Sequence, residues 1–199
     1  MVIDPRYRAV LVLGAGTGMR IMEALGLTVD RIDFLRREIR VDRQLTRKGG
    51  RTPVFGPLKD RKNRPRTIPV GAAVIDALAG HLATYGPGPE GLVFTTPQQG
   101  KVAMVAWGTA WRAAAGECGI ELGDGFHQLR HFYASTLIRG GCSVKEVQER
   151  LGHARASMTL DVYAHLWPSD EDRTRNVNDA ALAMLAEPSC SQIVRTGTP

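Results

Sequence analysis

Residues 125–165, GFHQLRHFYASTLIRGGCSVKEVQERLGHARASMTLDVYAH, read as three short helices carrying histidines, arginines and a tyrosine at regular intervals. His127 and Arg130 stand three apart, so on a helix they share one face and can reach the same ligand. Phe132 and Leu137 point elsewhere. Gly140 and Gly141 stop the first helix, and Ser143 with Glu146 three residues later is a capping box that opens the second. Val144, Val147 and Leu151 form the buried stripe of that second helix. Leu151-Gly152-His153 closes it on a histidine, and a third helix from Ala156 to Tyr163 brings a phenol toward the same region. Guanidinium forks, imidazoles and a phenol gathered in this way suit phosphate chemistry, because the planar fork of arginine matches phosphate oxygens.

The order His127-x-x-Arg130-His131, then Leu151-Gly152-His153, then Tyr163-Ala164-His165 ten residues beyond His153, resembles the tyrosine recombinase (phage integrase) family in sequence, spacing and flanks. That resemblance implies that Tyr163 is a nucleophile, that Arg130 binds the scissile phosphate, and that His127 and His153 complete the pocket. It also demands an arginine and a lysine upstream. Gly16-Thr17-Gly18-Met19-Arg20-x-x-Glu23 looks like the family's first arginine box, and Lys59, in a basic turn ahead of Arg66-Thr67-Ile68-Pro69, looks like its hairpin lysine. Lys62 lies in the same turn. Asp60 stands where the family has a small polar residue, and Gln128 where an Asp is often found.

The resemblance implies a fold and a reaction. The fold is α+β, mainly α: a helical catalytic domain with a small three-stranded antiparallel sheet. The reaction is attack of Tyr163 on a DNA phosphodiester, giving a 3′-phosphotyrosine and a free 5′ hydroxyl, followed by strand transfer. One ester replaces another, so neither ATP nor a metal cofactor is chemically required. A phenol is protonated at pH 7, so a neighbour must take its proton, with His127 as the candidate. Arg20 and Arg130 would hold the non-bridging oxygens, His153 would add a donor, and Lys59 would protonate the leaving oxygen. The implied partners are double-stranded DNA, further copies of the chain in a tetramer on DNA, and accessory DNA-bending proteins. The match covers the catalytic half of the family's architecture, without its N-terminal DNA-clamping domain.

The bounds of the chain agree with this. Its 199 residues suffice for one domain with a core, read as residues 1–187, with a tail over 188–199 that lacks periodicity and is expected to be disordered. The apolar run Ala9–Met19 is too short to span a bilayer and the start lacks the pattern of a secretory signal, which together predict a cytoplasmic protein. Cys118, Cys142 and Cys190 are too far apart for a Cys-x-x-Cys pair and are expected as thiols. The net charge is +6, but residues 36–66 hold twelve Lys or Arg against three acids. That segment is therefore +9 and the remainder −3, a focusing of positive charge that suits a polyanion.

Along the chain, Asp4-Pro5 predicts a helix start that turns Tyr7, Val10, Leu11 and Leu13 inward. A second helix follows the glycines from Arg20 to Leu27. Three strands are expected over Ile32–Val41, Thr52–Leu58 and Arg66–Val70. The turn between the last two, Lys59 to Pro65, would set Arg61, Lys62 and Arg64, with Arg66 beyond it, toward a DNA groove. Helices over Ala72–Tyr85 and Met104–Cys118 follow, the latter with Trp107 and Trp111 in the core, and a short apolar helix is expected over Val177–Leu185.

Three rival readings arise. AVLVLGAGTG at residues 9–18 could be a strand entering a glycine loop, as in S-adenosylmethionine-dependent methyltransferases, but Met19 breaks the dinucleotide fingerprint. His127 and His131 have the i, i+4 spacing of a zinc helix, but Gln128 replaces the catalytic Glu, and His131 reads better as a core hydrogen-bonding residue. A DNA-binding module with negligible turnover is the third.

Overall fold

The computed structural model describes residues 3–47, 52–59, 65–118, 125–167 and 171–186. Helix α1 (Arg8–Thr17) follows a 3₁₀ turn (Pro5–Tyr7) whose first backbone amides are met by Asp4, the carboxylate accepting from Arg6 N at 2.9 Å. Helix α2 (Ile21–Leu25) begins after Gly18, which caps α1 in the left-handed region at φ 61°. The segment read by its rival as strand and glycine loop is thus helical through Thr17, and its glycines serve packing. A Cβ at Gly14 would collide with Phe126, and one at Gly16 with Val74. Their absence lets α1 lie directly against α3 (Ala72–Tyr85) and α5 (His127–Arg139), which makes α1 the central helix.

Five short strands follow α2. β1 (Ile32–Asp33) and β2 (Glu38–Val41) are antiparallel, and β2 pairs on its other edge with β5 (Arg66–Pro69), Ile39 facing Ile68 with both side chains fully buried. β3 (Gln44–Thr46) and β4 (Val54–Gly56) form a separate hairpin. The fold class is the expected one, with different strands in the three-stranded sheet. Ile32–Val41 is two strands because Asp33 Oδ1 accepts from the amides of Leu35 and Arg36, a side-chain turn that reverses the chain, with Arg37 at φ 53° completing it. The strand expected at Thr52–Leu58 pairs with residues 44–46 and is outside that sheet.

Helix α4 (Met104–Glu117) buries Trp107, while Trp111 is only partly covered. Three helices then follow as the sequence predicts: α5, α6 (Val144–Leu151) and α7 (Ala156–Tyr163). The Ser143–Glu146 capping box is formed in both directions. Residues 1–166 form one compact unit. Residues 167–199 form a second, whose described element is α8 (Glu171–Ala186), longer than the apolar stretch expected from Val177; the proposed tail at 188–199 lies outside the described residues. Among the described residues no helix is long and apolar enough to cross a membrane, no cluster of His, Cys, Asp or Glu could hold a metal ion, and neither Cys118 nor Cys142 is in a disulfide.

Candidate active site

Arg130, one turn into α5, is 2% exposed. Its Nη1 donates to the Gly18 carbonyl at 2.6 Å and its Nη2 to the Leu151 carbonyl at 2.7 Å. Gly18 ends α1 just before Arg20, and Leu151 ends α6 just before His153. One guanidinium therefore fastens the two loops that carry the other phosphate-binding candidates, while its five N–H donors leave capacity beyond these two bonds. Burial, then the like charges of Arg20 and Arg66, lower its pKa to about 9, with Glu23 and Tyr163 acting in the opposite direction.

Arg20 occupies the N-cap of α2. Its backbone N–H donates to Glu23 Oε2 at 3.0 Å and its Nη1 pairs with Glu23 Oε1 at 3.3 Å. Glu23 is 1% exposed and also accepts from Arg66, Nη2 to Oε2 at 2.6 Å. Burial alone would raise the Glu23 pKa; the charge and hydrogen bond of Arg66, with those of Arg20, outweigh it and hold the carboxyl below its ordinary value. Arg66 was expected to reach DNA. Its side chain is instead 7% exposed, committed to Glu23 and, through Nε, to the Arg150 carbonyl at 3.0 Å. The physical reason is that a buried carboxylate requires a paired and hydrogen-bonded cation.

His153 follows Gly152, the left-handed cap of α6 at φ 68°; a Cβ there would press on the Arg66 guanidinium at 2.9 Å. His153 Nδ1 lies 2.9 Å from Oγ1 of Thr159, which is fully buried in α7. With the threonine hydroxyl as donor, the ring proton sits on Nε2. Burial and then the charges of Arg130, Arg20, Arg66 and His127 depress the His153 pKa to about 4, so the ring is neutral at pH 7.

Tyr163 ends α7 and is 4% exposed. Its hydroxyl hydrogen-bonds with Nδ1 of His131 at 2.8 Å, and burial raises its pKa while Arg130 opposes the rise. His127, the residue expected to meet the phenol, stands at the exposed start of α5 with its ring edge-on to His131, centroids 4.8 Å apart. His127, Arg20 and Lys59 line one open cavity of about 670 Å³, with Arg112, Trp111 and Met104 on its walls. Lys59 is exposed at this cavity; Arg61, Lys62 and Arg64 lie outside the described residues.

The sequence reading missed the roles of Glu23 and Thr159 and the tyrosine contact of His131. Glu23 carried a signal, its capping-box spacing after Arg20. Thr159 had none, since only the packing of α7 on α6 brings it to His153. Together the residues gather positive charge beside a phenol and an imidazole, an arrangement suited to holding an anionic ester against a nucleophile.

The model of the phage integrase family matches residues 2–169. The tyrosine recombinase XerD of Mycobacterium tuberculosis is 35% identical over 184 residues, covering 85% of this chain and 53% of that protein. The chain spans about half the length of the curated relatives it matches. Among solved structures, the Tn1549 transposon integrase in complex with a circular intermediate DNA superposes with a TM-score of 0.73 at 23% identity, over 88% of this chain and 58% of that one. The catalytic domain of bacteriophage HP1 integrase superposes with a TM-score of 0.61 at 24% identity, over 89% and 85%. The fold is thus that of these catalytic domains. With a family match running from before the first arginine box to beyond Tyr163, the chain belongs to the phage integrase family.

Proposed function

We propose that this chain breaks and rejoins DNA as a tyrosine-type site-specific recombinase. Tyr163 Oη attacks a backbone phosphorus, the bond to the 5′ oxygen breaks, and the strand is held as a 3′-phosphotyrosine until a 5′ hydroxyl reverses the step. Arg20 and Arg130 hold the non-bridging oxygens as charge builds on them, and His127 and His153 add donors. Lys59 gives the leaving oxygen its proton. Arg61, Lys62 and Arg64 act on the DNA backbone, and recombination proceeds in a tetramer on double-stranded DNA, with DNA-bending proteins as accessories.

The observation that carries this reading is electrostatic. Burial first, and then the charges of Arg130, Arg20, Arg66 and His127 gathered around it, push the His153 imidazole down to about 4. Such mutual repulsion is relieved by an anion bound among them, and strongly perturbed groups beside a nucleophile mark functional sites.

The test is a nicked duplex that traps the covalent intermediate. The wild type accumulates a protein–DNA adduct; Tyr163→Phe gives none and keeps non-covalent affinity within a few-fold. Adducts in the Phe variant would remove Tyr163 as nucleophile. DNA binding without adduct in the wild type would favour a DNA-binding module with negligible turnover.

A further inference from the structure

Resting on the assignment of Tyr163 as nucleophile, we propose that His131 is the catalytic base that takes the phenolic proton. His131 is in hydrogen-bond contact with the reacting atom: its Nδ1 lies 2.8 Å from Tyr163 Oη, with ring centroids 5.5 Å apart and planes at 60°. This distance lies within the reach required of a general base. The nucleophile needs such a base in contact, because the same burial that shields Tyr163 from water disfavours its phenolate relative to solution. Arg130, which lowers that barrier only in part, directly precedes His131 on α5 and is clamped to two backbone carbonyls, so His131 is held in place by its neighbour.

His127 has a different place. Its ring packs edge-on against the His131 ring, and it lines the open cavity with Arg20 and Lys59. The two histidines, one turn apart, thereby divide the work. His131 faces the nucleophile and His127 the phosphate.

The step balances. With the ring proton of resting His131 on Nε2, Nδ1 accepts from Tyr163. The O–H bond breaks, the proton moves to Nδ1, and the oxygen lone pair forms the bond to phosphorus. The phosphorus–5′ oxygen bond breaks, and that oxygen leaves as an alcohol with a proton from Lys59. In rejoining, the imidazolium of His131 returns its proton to the departing phenol.

The experiment follows single-turnover adduct formation on the nicked duplex. If the wild type forms no adduct, the recombinase reading fails whatever His131 does. Given a wild-type adduct, His131→Ala slows its formation by roughly 100-fold, the scale of losing a general base, with non-covalent binding preserved. Replacing Tyr163 in that background by a difluorotyrosine, whose phenol is more acidic, recovers about tenfold or more of the loss, because an easier ionisation needs the base less. A residue that only positions the ring would show no dependence on phenol acidity. A loss below about fivefold, or no recovery with the acidic phenol, overturns the proposal. Should His131→Ala fail to fold, ¹⁵N NMR of the wild type decides: an unprotonated, hydrogen-bond-accepting Nδ1 on His131 at neutral pH supports it, and a protonated Nδ1 overturns it.

Discussion

His153 shows how a single residue is tuned by its neighbours. Its ordinary pKa of 6.5 is lowered to about 4, by burial first and by the surrounding cations second. Between these two values the unfolded chain binds a proton that the folded chain refuses, so stability falls as pH falls through that window. Thermal unfolding followed from pH 7 to about 4.5 should therefore show a steeper loss for the wild type than for His153→Gln. Equal slopes would mean that His153 adds nothing to acid sensitivity. The depressed value also means that at neutral pH the His153 ring is neutral. Its tautomer is then governed by Thr159, a residue six positions on with no marking in the sequence.

Between elements, the ion pair of Glu23 and Arg66 joins α2 to β5, and the bond from Arg66 to the Arg150 carbonyl joins β5 to α6. Arg150 Nη1 returns a bond to the Thr67 carbonyl at 2.9 Å. The arginine read from sequence as a DNA contact is thus a brace that keeps Arg20 and the His153 loop in register. Arg66→Ala leaves Glu23 buried with its main partner gone, and should cost about 3–5 kcal/mol of stability by urea unfolding. The slope of log affinity for DNA against log salt should meanwhile stay within about half a unit of the wild type, since no phosphate contact is lost. A slope reduced by a full unit with stability unchanged would return Arg66 to the DNA surface. The strand assignments went astray for a related reason. Alternation identified extended segments, but Asp33 split the first of them, and which short strand pairs with which depends on contacts that local pattern does not carry.

For the molecule as a whole, the basic segment is less uniformly positive in space than in sequence. Arg31 pairs with Asp30 and Asp42, Arg36 with Asp33, Arg40 with Asp42 and Arg43 with Asp30, and two of those three acids precede the segment counted as +9. The arginines around the sheet are thereby partly neutralised, which shifts the expected phosphate contacts toward Lys59 and the basic residues that follow it in sequence. Neutralising Arg61 and Arg64 together should flatten the salt dependence of DNA affinity by roughly one to two units. An unchanged slope would place the polyanion contact elsewhere.

What the sequence determined by itself was the set of elements and motifs whose information is local. The capping box at Ser143, the glycine stops at Gly18, Gly140 and Gly152, and the family spacing from Arg20 to Tyr163 are all short-range patterns, and they predicted helices α5, α6 and α7. What only the tertiary structure decided was partnership. Whether Tyr163 meets His127 or His131, whether Arg66 faces DNA or Glu23, and which hydroxyl orients His153 depend on helices and strands packed together across separations that in one case exceed eighty residues. A buried charge or polar atom takes whichever complementary group the packing delivers, because leaving it unpaired costs more than any local preference can offset.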